Sequence, residues 1–156
     1  MDWSAIFAGG AALISVIALV YGIHQHRDTV RKEFIIWALE QMQSPSQRET
    51  RALLWRLNRP ENESKKMKII EGIVSGKEKV LYGKDVSQFR AAFALYSQIG
   101  YFWAKLGYGN LKDVKNLFPQ FPDLWRISEP YITAIRGRPH QSESFLYFEK
   151  IAKKLR

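Results

Sequence analysis

WSAIFAGGAALISVIALVYGI, residues 3–23, is the stretch on which the fold turns: 21 consecutive residues without a charge. As a helix rising 1.5 Å per residue it would reach about 32 Å, enough to cross a hydrocarbon core about 30 Å thick. Trp3 and Tyr21 stand near its two ends, where amphipathic rings favour the boundary between lipid and water. A cleavable leader fits poorly. Only Met1 and Asp2 precede the run, with no Lys or Arg, and the run is longer than a leader's apolar region. Ala5 and Ala8, which loosely resemble a cleavage motif, lie before the main apolar run rather than after it. The competing reading is a helix buried on all sides in a protein core, but uncharged runs of this length usually mark membrane spans.

The flanks orient the span. His24, His26, Arg27, Arg31 and Lys32 follow it, offset by Asp28 and Glu33, whereas Asp2 stands before it. Positive flanks stay in the cytoplasm. The expectation is a single-pass protein of the cell inner (plasma) membrane, with a short N-terminus outside and its domain in the cytoplasm. Arg27, Arg31 and Lys32 then meet the interface together with Trp3 and Tyr21. Ala5, Ala8, Gly9, Ala12 and Ser15 recur at spacings of three and four, a small face that lets two spans approach closely and self-associate. Small residues are also simply common in spans.

Beyond the span, helical spacing of apolar residues dominates and sustained alternation is missing. Residues 24–43 contain no Gly or Pro and carry Phe34, Ile35, Trp37, Ala38 and Met42, so the span should continue as one rod. Ser44 with Pro45 and Gln47 reads as a capping box opening a helix that ends before Pro60. A shorter helix through Ile69 and Ile73 ends near Gly76, and residues 77–84 read as a basic connector. Asp85, with Gln88 three residues on, opens the central helix, which stops at Gly107. Phe89, Phe93, Tyr96, Gly100 and Trp103 form one stripe on it; Leu95, Ile99, Phe102 and Leu106 form another. A helix apolar on most sides sits among others, and its aromatic stripe reads as core packing in preference to a ligand groove. Asn110 caps a short helix, PQFPD reads as a turn, a helix with Pro130 inside it ends at Gly137, and Ser142 opens the last helix. The predicted fold is all-α: a transmembrane anchor over 1–23, a juxtamembrane helix over 24–43 and a helical-bundle domain of about five helices over 44–156.

The C-terminal half, with its central aromatic helix, Trp125, Glu129-Pro130-Tyr131-Ile132, Arg136, Tyr147-Phe148-Glu149 and Ile151-Ala152, resembles the prokaryotic family known as domain of unknown function 4760. That resemblance implies a membrane span followed by a short helical domain. It implies no activity and no catalytic residue.

Composition narrows the chemistry. With no Cys among 156 residues, disulfides, thiolate metal sites and a Cys nucleophile are excluded. His24 and His26 are two apart and point away from each other on a helix, and even with Asp28 they fall short of the convergent ligands that zinc requires. Gly-rich phosphate loops and the motifs of serine hydrolases and zinc proteases are absent from the sequence. Neither a catalytic set nor a cofactor is expected. Arg136 beside the Pro130 helix is expected to pair with a glutamate such as Glu149 as a structural ion pair.

Charge is the remaining signal. Residues 24–156 hold all 24 basic residues and 14 of the 15 acidic ones, a net +10. The basic clusters include Arg48, Arg51 and Arg56, then Lys65, Lys66 and Lys68, and finally Lys153 and Lys154. Such a surface suits membrane lipids or an acidic protein partner. The first reading is a membrane-anchored, non-catalytic interaction module. The alternative is a membrane-tethered nucleic-acid-binding protein, phage- or defence-related, although no recognised nucleic-acid motif is present.

Overall fold

Proline, glycine and the apolar spacing set where the chain turns. In the structure, a computed structural model that describes residues 3–77, 82–107 and 111–156 without the side chains of 3–17, every regular element is helical. These are α1 (Trp3–Gln43), α2 (Pro45–Leu57), a 3-10 turn (Pro60–Asn62), α3 (Glu63–Ser75), α4 (Gly83–Leu106), α5 (Leu111–Leu117), α6 (Phe121–Arg136) and α7 (Leu146–Leu155). Six helices thus follow α1 among the described residues, where the sequence suggests a bundle of about five.

The sequence signals act as expected at several ends. α1 is one helix of 41 residues, unbroken between the uncharged stretch and the bundle. Ser44 is extended (φ −57°, ψ 146°) and Pro45 takes the first position of α2, where its missing N–H costs nothing. α3 and α4 end on Gly76 (φ 75°) and Gly107 (φ 67°), both left-handed, a conformation that an added Cβ would strain.

Other ends differ. The expected capping box does not form: Ser44 makes no side-chain cap, and Gln47 is buried instead, with Oε1 lacking a partner. α4 opens at Gly83, two residues before Asp85. In PQFPD only the first half is a turn, because Phe121 and Pro122 already belong to α6. The last helix begins at Leu146 and not at Ser142. Arg136 Nε donates to the Ser144 carbonyl at 2.8 Å, holding that segment in turns, and Phe145 has φ +61°, which helix continuation does not allow. Asn110 and residues 78–81 of the expected 77–84 connector lie outside the described residues, and Gly83 and Lys84 already belong to α4.

α4 is the centre, as its two stripes suggest. Val86, Phe89, Ala92, Phe93, Tyr96 and Ile99 are buried. Each such large apolar side chain contributes about 1.5–3 kcal/mol on leaving water. Phe89 meets Tyr131 of α6 (ring centroids 5.1 Å), and Tyr96 meets Phe121 of α6 (5.6 Å) and Phe148 of α7 (4.9 Å). The stripes fade toward the C-terminus, where Phe102 and Trp103 are half-buried and Leu106 is exposed.

The direction of packing fixes what lies at each end. Phe93 packs on Phe145 just before α7, Gly100 and Tyr101 meet Tyr147, and Trp103 and Ala104 share a groove with Lys150, Lys153 and Lys154, so α4 and α7 run the same way. α1 runs against them. Its Phe34 and Trp37 flank Phe102 (5.0 and 5.9 Å), while Met42, near its end, is tied through Arg51 to the level of Tyr96. The leading half of α1 therefore leaves the bundle past the C-terminal ends of α4 and α7.

Candidate functional site

Arginines and lysines divide the work. Arg51 was expected on the basic surface. It is half-buried instead, and Nη1 donates to the Met42 carbonyl at 2.7 Å. The last turn of α1 has no basic residue of its own, so Arg51 supplies the cation that its exposed carbonyls favour. Arg138 Nε likewise donates to the Ile73 carbonyl near the end of α3 at 2.8 Å. Arg136 Nη1 donates to Glu149 Oε2 at 2.7 Å, the ion pair expected from the sequence, and its guanidinium lies 5.8 Å from the Trp125 ring. Arg31, expected at the membrane interface, is ion-paired with Asp113 of α5. A planar guanidinium can serve several acceptors at once, which suits it to such internal links. Part of the positive charge is therefore structural.

Most of the remaining named cations face solvent. Arg27, Lys32, Arg48, Arg56, Lys65 and Lys68 are exposed, while Lys66 folds back on Glu63 at 3.0 Å. Several of them line separate grooves. Arg56 lines a shallow groove of α2 with Trp55 and Arg59; Lys68 lines another with Glu71 and Tyr82. Lys153 and Lys154 belong to a third, of about 710 Å³, which they line with Lys150, Trp103 and Ala104.

That third groove is the most distinctive feature of the surface. Lys150, Lys153 and Lys154 fall at spacings of three and four, which aligns them on one face of α7. Trp103 and Ala104 of α4 provide the apolar wall. Lys150 Nζ lies 5.1 Å from the centre of the Tyr147 ring, and Lys153 Nζ bonds Glu149 Oε1 at 2.5 Å. Lys153, then Arg136, holds the Glu149 carboxyl below its usual range, with burial opposing weakly. Sequence reading placed Trp103 in the core stripe, grouped Lys150 with Lys153 and Lys154 as a basic cluster at the end of the chain, and left Ala104 unremarked. The three-four spacing of the lysines was the available signal.

The buried interior has its own unpaired groups. The hydroxyls of Tyr96, Tyr131 and Ser128 lack hydrogen-bond partners, as does Arg136 Nη2. Burial pushes the Tyr96 phenol up to about 12, with Arg51 pulling the other way, and burial together with Glu63 raises that of Tyr131. Among the described residues no three His, Asp or Glu side chains come together as metal ligands. His24 sits 3.9 Å from Asp28, both exposed.

No family model, curated protein or solved structure matches this chain.

Of the proposed anchor, only part can be described. Trp3, Ala5, Ala8, Gly9, Ala12 and Ser15 lie where side chains are outside the described residues. Among the described residues no helix is long and apolar enough to cross a membrane. From Ala18 onward the side chains of α1 are described, and there Leu19, Val20, Tyr21 and Ile23 are between 53% and 65% exposed.

Proposed function

We propose that this protein is a membrane-anchored, non-catalytic interaction module whose helical bundle stands close to the cytoplasmic face of the membrane. One observation carries the reading. Leu19, Val20, Tyr21 and Ile23 project from α1, each more than half exposed, within the uncharged stretch 3–23. Large apolar side chains in a row on a bare helix need a cover, and lipid is a cover that demands no partner chain. The positive flank after Ile23 supports the orientation. The likeness to the domain of unknown function 4760 belongs to the same proposal and adds no activity to it. Self-association through Ala5, Ala8, Gly9, Ala12 and Ser15 belongs to it too, as does an acidic protein partner for the exposed cations.

The test is membrane fractionation followed by an alkaline carbonate wash. The full chain is expected to stay in the pellet, and capture from a detergent extract is expected to recover a specific partner. A full chain that washes free overturns the anchor; a reproducible substrate turnover overturns the non-catalytic reading. The nucleic-acid alternative predicts binding that weakens steeply with salt. The division of the cations among separate grooves gives it less support than a single continuous stripe would.

A further inference from the structure

We infer that the groove formed by Trp103, Ala104, Lys150, Lys153 and Lys154 is a seat for the headgroup of an anionic phospholipid in the membrane that α1 enters, an inference that rests on the anchor reading above. Three observations converge on it. The first is chemical: three lysines on one helix face beside a Trp suit a ligand with an anionic head and an apolar body. Glu149 already engages Lys153 but also holds Arg136, so the lysine face keeps a net positive charge. The second is size, because about 710 Å³ lies in the range that accepts a small amphiphile.

The third is position. α4 and α7 run the same way and α1 runs against them, so the groove opens at the end from which α1 departs. From Phe34, level with Phe102, back to Ile23 is 11 residues, or about 16 Å of helix. From Phe102 to Ala104, the last groove residue of α4, takes up about 3 Å of that. The groove thus stands about 13 Å from the end of the uncharged stretch, a gap that extended lysine side chains narrow toward a Debye length of about 8 Å. Exposed Leu106, Leu111, Lys105, Lys112 and Lys115 belong to the same end, a mixture of apolar and cationic groups suited to a lipid surface.

The Cys-free chain allows a direct test on the full-length protein. Single-cysteine variants Ala104→Cys and Leu19→Cys carry a small fluorophore. They are reconstituted in vesicles of pure phosphatidylcholine or of equal parts phosphatidylcholine and phosphatidylglycerol, with a nitroxide quencher at headgroup level or in the acyl chains. The Ala104 probe is expected to be quenched from the headgroup level only in the anionic vesicles. Neutralising Lys150 and Lys154 to Gln should reduce that engagement about 30-fold, which corresponds to about 1 kcal/mol per lysine. Both lysines are exposed, so their loss leaves the fold intact, as circular dichroism will verify. Equal quenching in both vesicles, or quenching that survives the double substitution, overturns the assignment. A change at Ala104 on adding glycerol phosphate to neutral vesicles also overturns it, by showing a site for free phosphate. The Leu19 probe reports separately: quenched from the acyl chains in both vesicles, it supports the anchor; unquenched, it overturns the anchor while the charge dependence at Ala104 still decides the groove.

Discussion

A methyl group placed on Gly100 would stand 2.2 Å from the carbonyl oxygen of Tyr147. The contact is backbone against backbone, so no side chain can swing aside. It joins α4 to α7 next to the lysine groove, and it requires a residue without a Cβ.

Gly100→Ala should therefore destabilise the bundle by about 1–3 kcal/mol through overpacking, more than outweighing the better helix propensity of Ala. Denaturant unfolding in mild detergent would show a lower midpoint. Gly22, with nothing within 4 Å of an added Cβ, is the control, and Gly22→Ala should leave the midpoint unchanged or raise it slightly through the better helix propensity of Ala.

Glu149→Gln should cost on the order of 2 kcal/mol near neutral pH, since it weakens charged hydrogen bonds from both Lys153 and Arg136. The sign with pH follows from the lowered carboxyl. Its contribution is complete above the ordinary value of 4.5 and is lost as pH falls through the folded-state value. Thermal unfolding followed from neutral to acid should show the wild-type and Gln curves converging. A constant gap between them would rule out this pair as the source.

Alongside Tyr131, Tyr96 should contribute to the alkaline limit. Its phenol is raised from 10.0 to about 12, so the folded state favours the protonated form. That advantage is present below 10 and is lost as pH rises toward about 12. Tyr96→Phe removes a buried hydroxyl that makes no well-formed hydrogen bond, although Arg51 lies beside it, and keeps the ring contacts with Phe121 and Phe148, so it should change stability little below pH 10. Spectroscopic titration of tyrosine ionisation alongside circular dichroism would show the alkaline transition moving to higher pH in the variant.

Arg31→Ala should loosen α5 more than it weakens the whole. The ion pair with Asp113 is about one-third exposed, and pairs of that kind contribute about 1 kcal/mol or less. Global unfolding should move little, while amide exchange across residues 111–117 should quicken. A large global loss would contradict this assignment.

The readable parts of the fold were those governed by single residues. Pro45, Gly76 and Gly107 mark helix ends through backbone restrictions that act locally, and the Phe89, Phe93 and Tyr96 spacing gave the core face of α4 directly. The unreadable parts depend on distant partners. Ser142 resembles a helix start, yet the start lies at Leu146 because Arg136 grips the Ser144 carbonyl. Arg51 reads as one more surface cation. It lies four residues after Gln47 and three before Leu54, both buried, and that spacing already placed it at the edge of the inner face. Trp103 continues the core stripe in sequence but lies where α4 outruns its cover, so its place beside the α7 lysines needed the relative direction of two helices.

The unbroken course of α1 has a mechanical consequence. A helix without a joint between its leading half and the bundle transmits rotation about its axis undiminished, so the facing of the leading half fixes the facing of everything attached behind it. Adding one residue ahead of Phe34 would turn the bundle by about 100° relative to the leading half, and seven residues would bring it nearly back into phase. In this sense α1 acts as a drive shaft, with its angular setting written in the number of residues between Ile23 and Phe34.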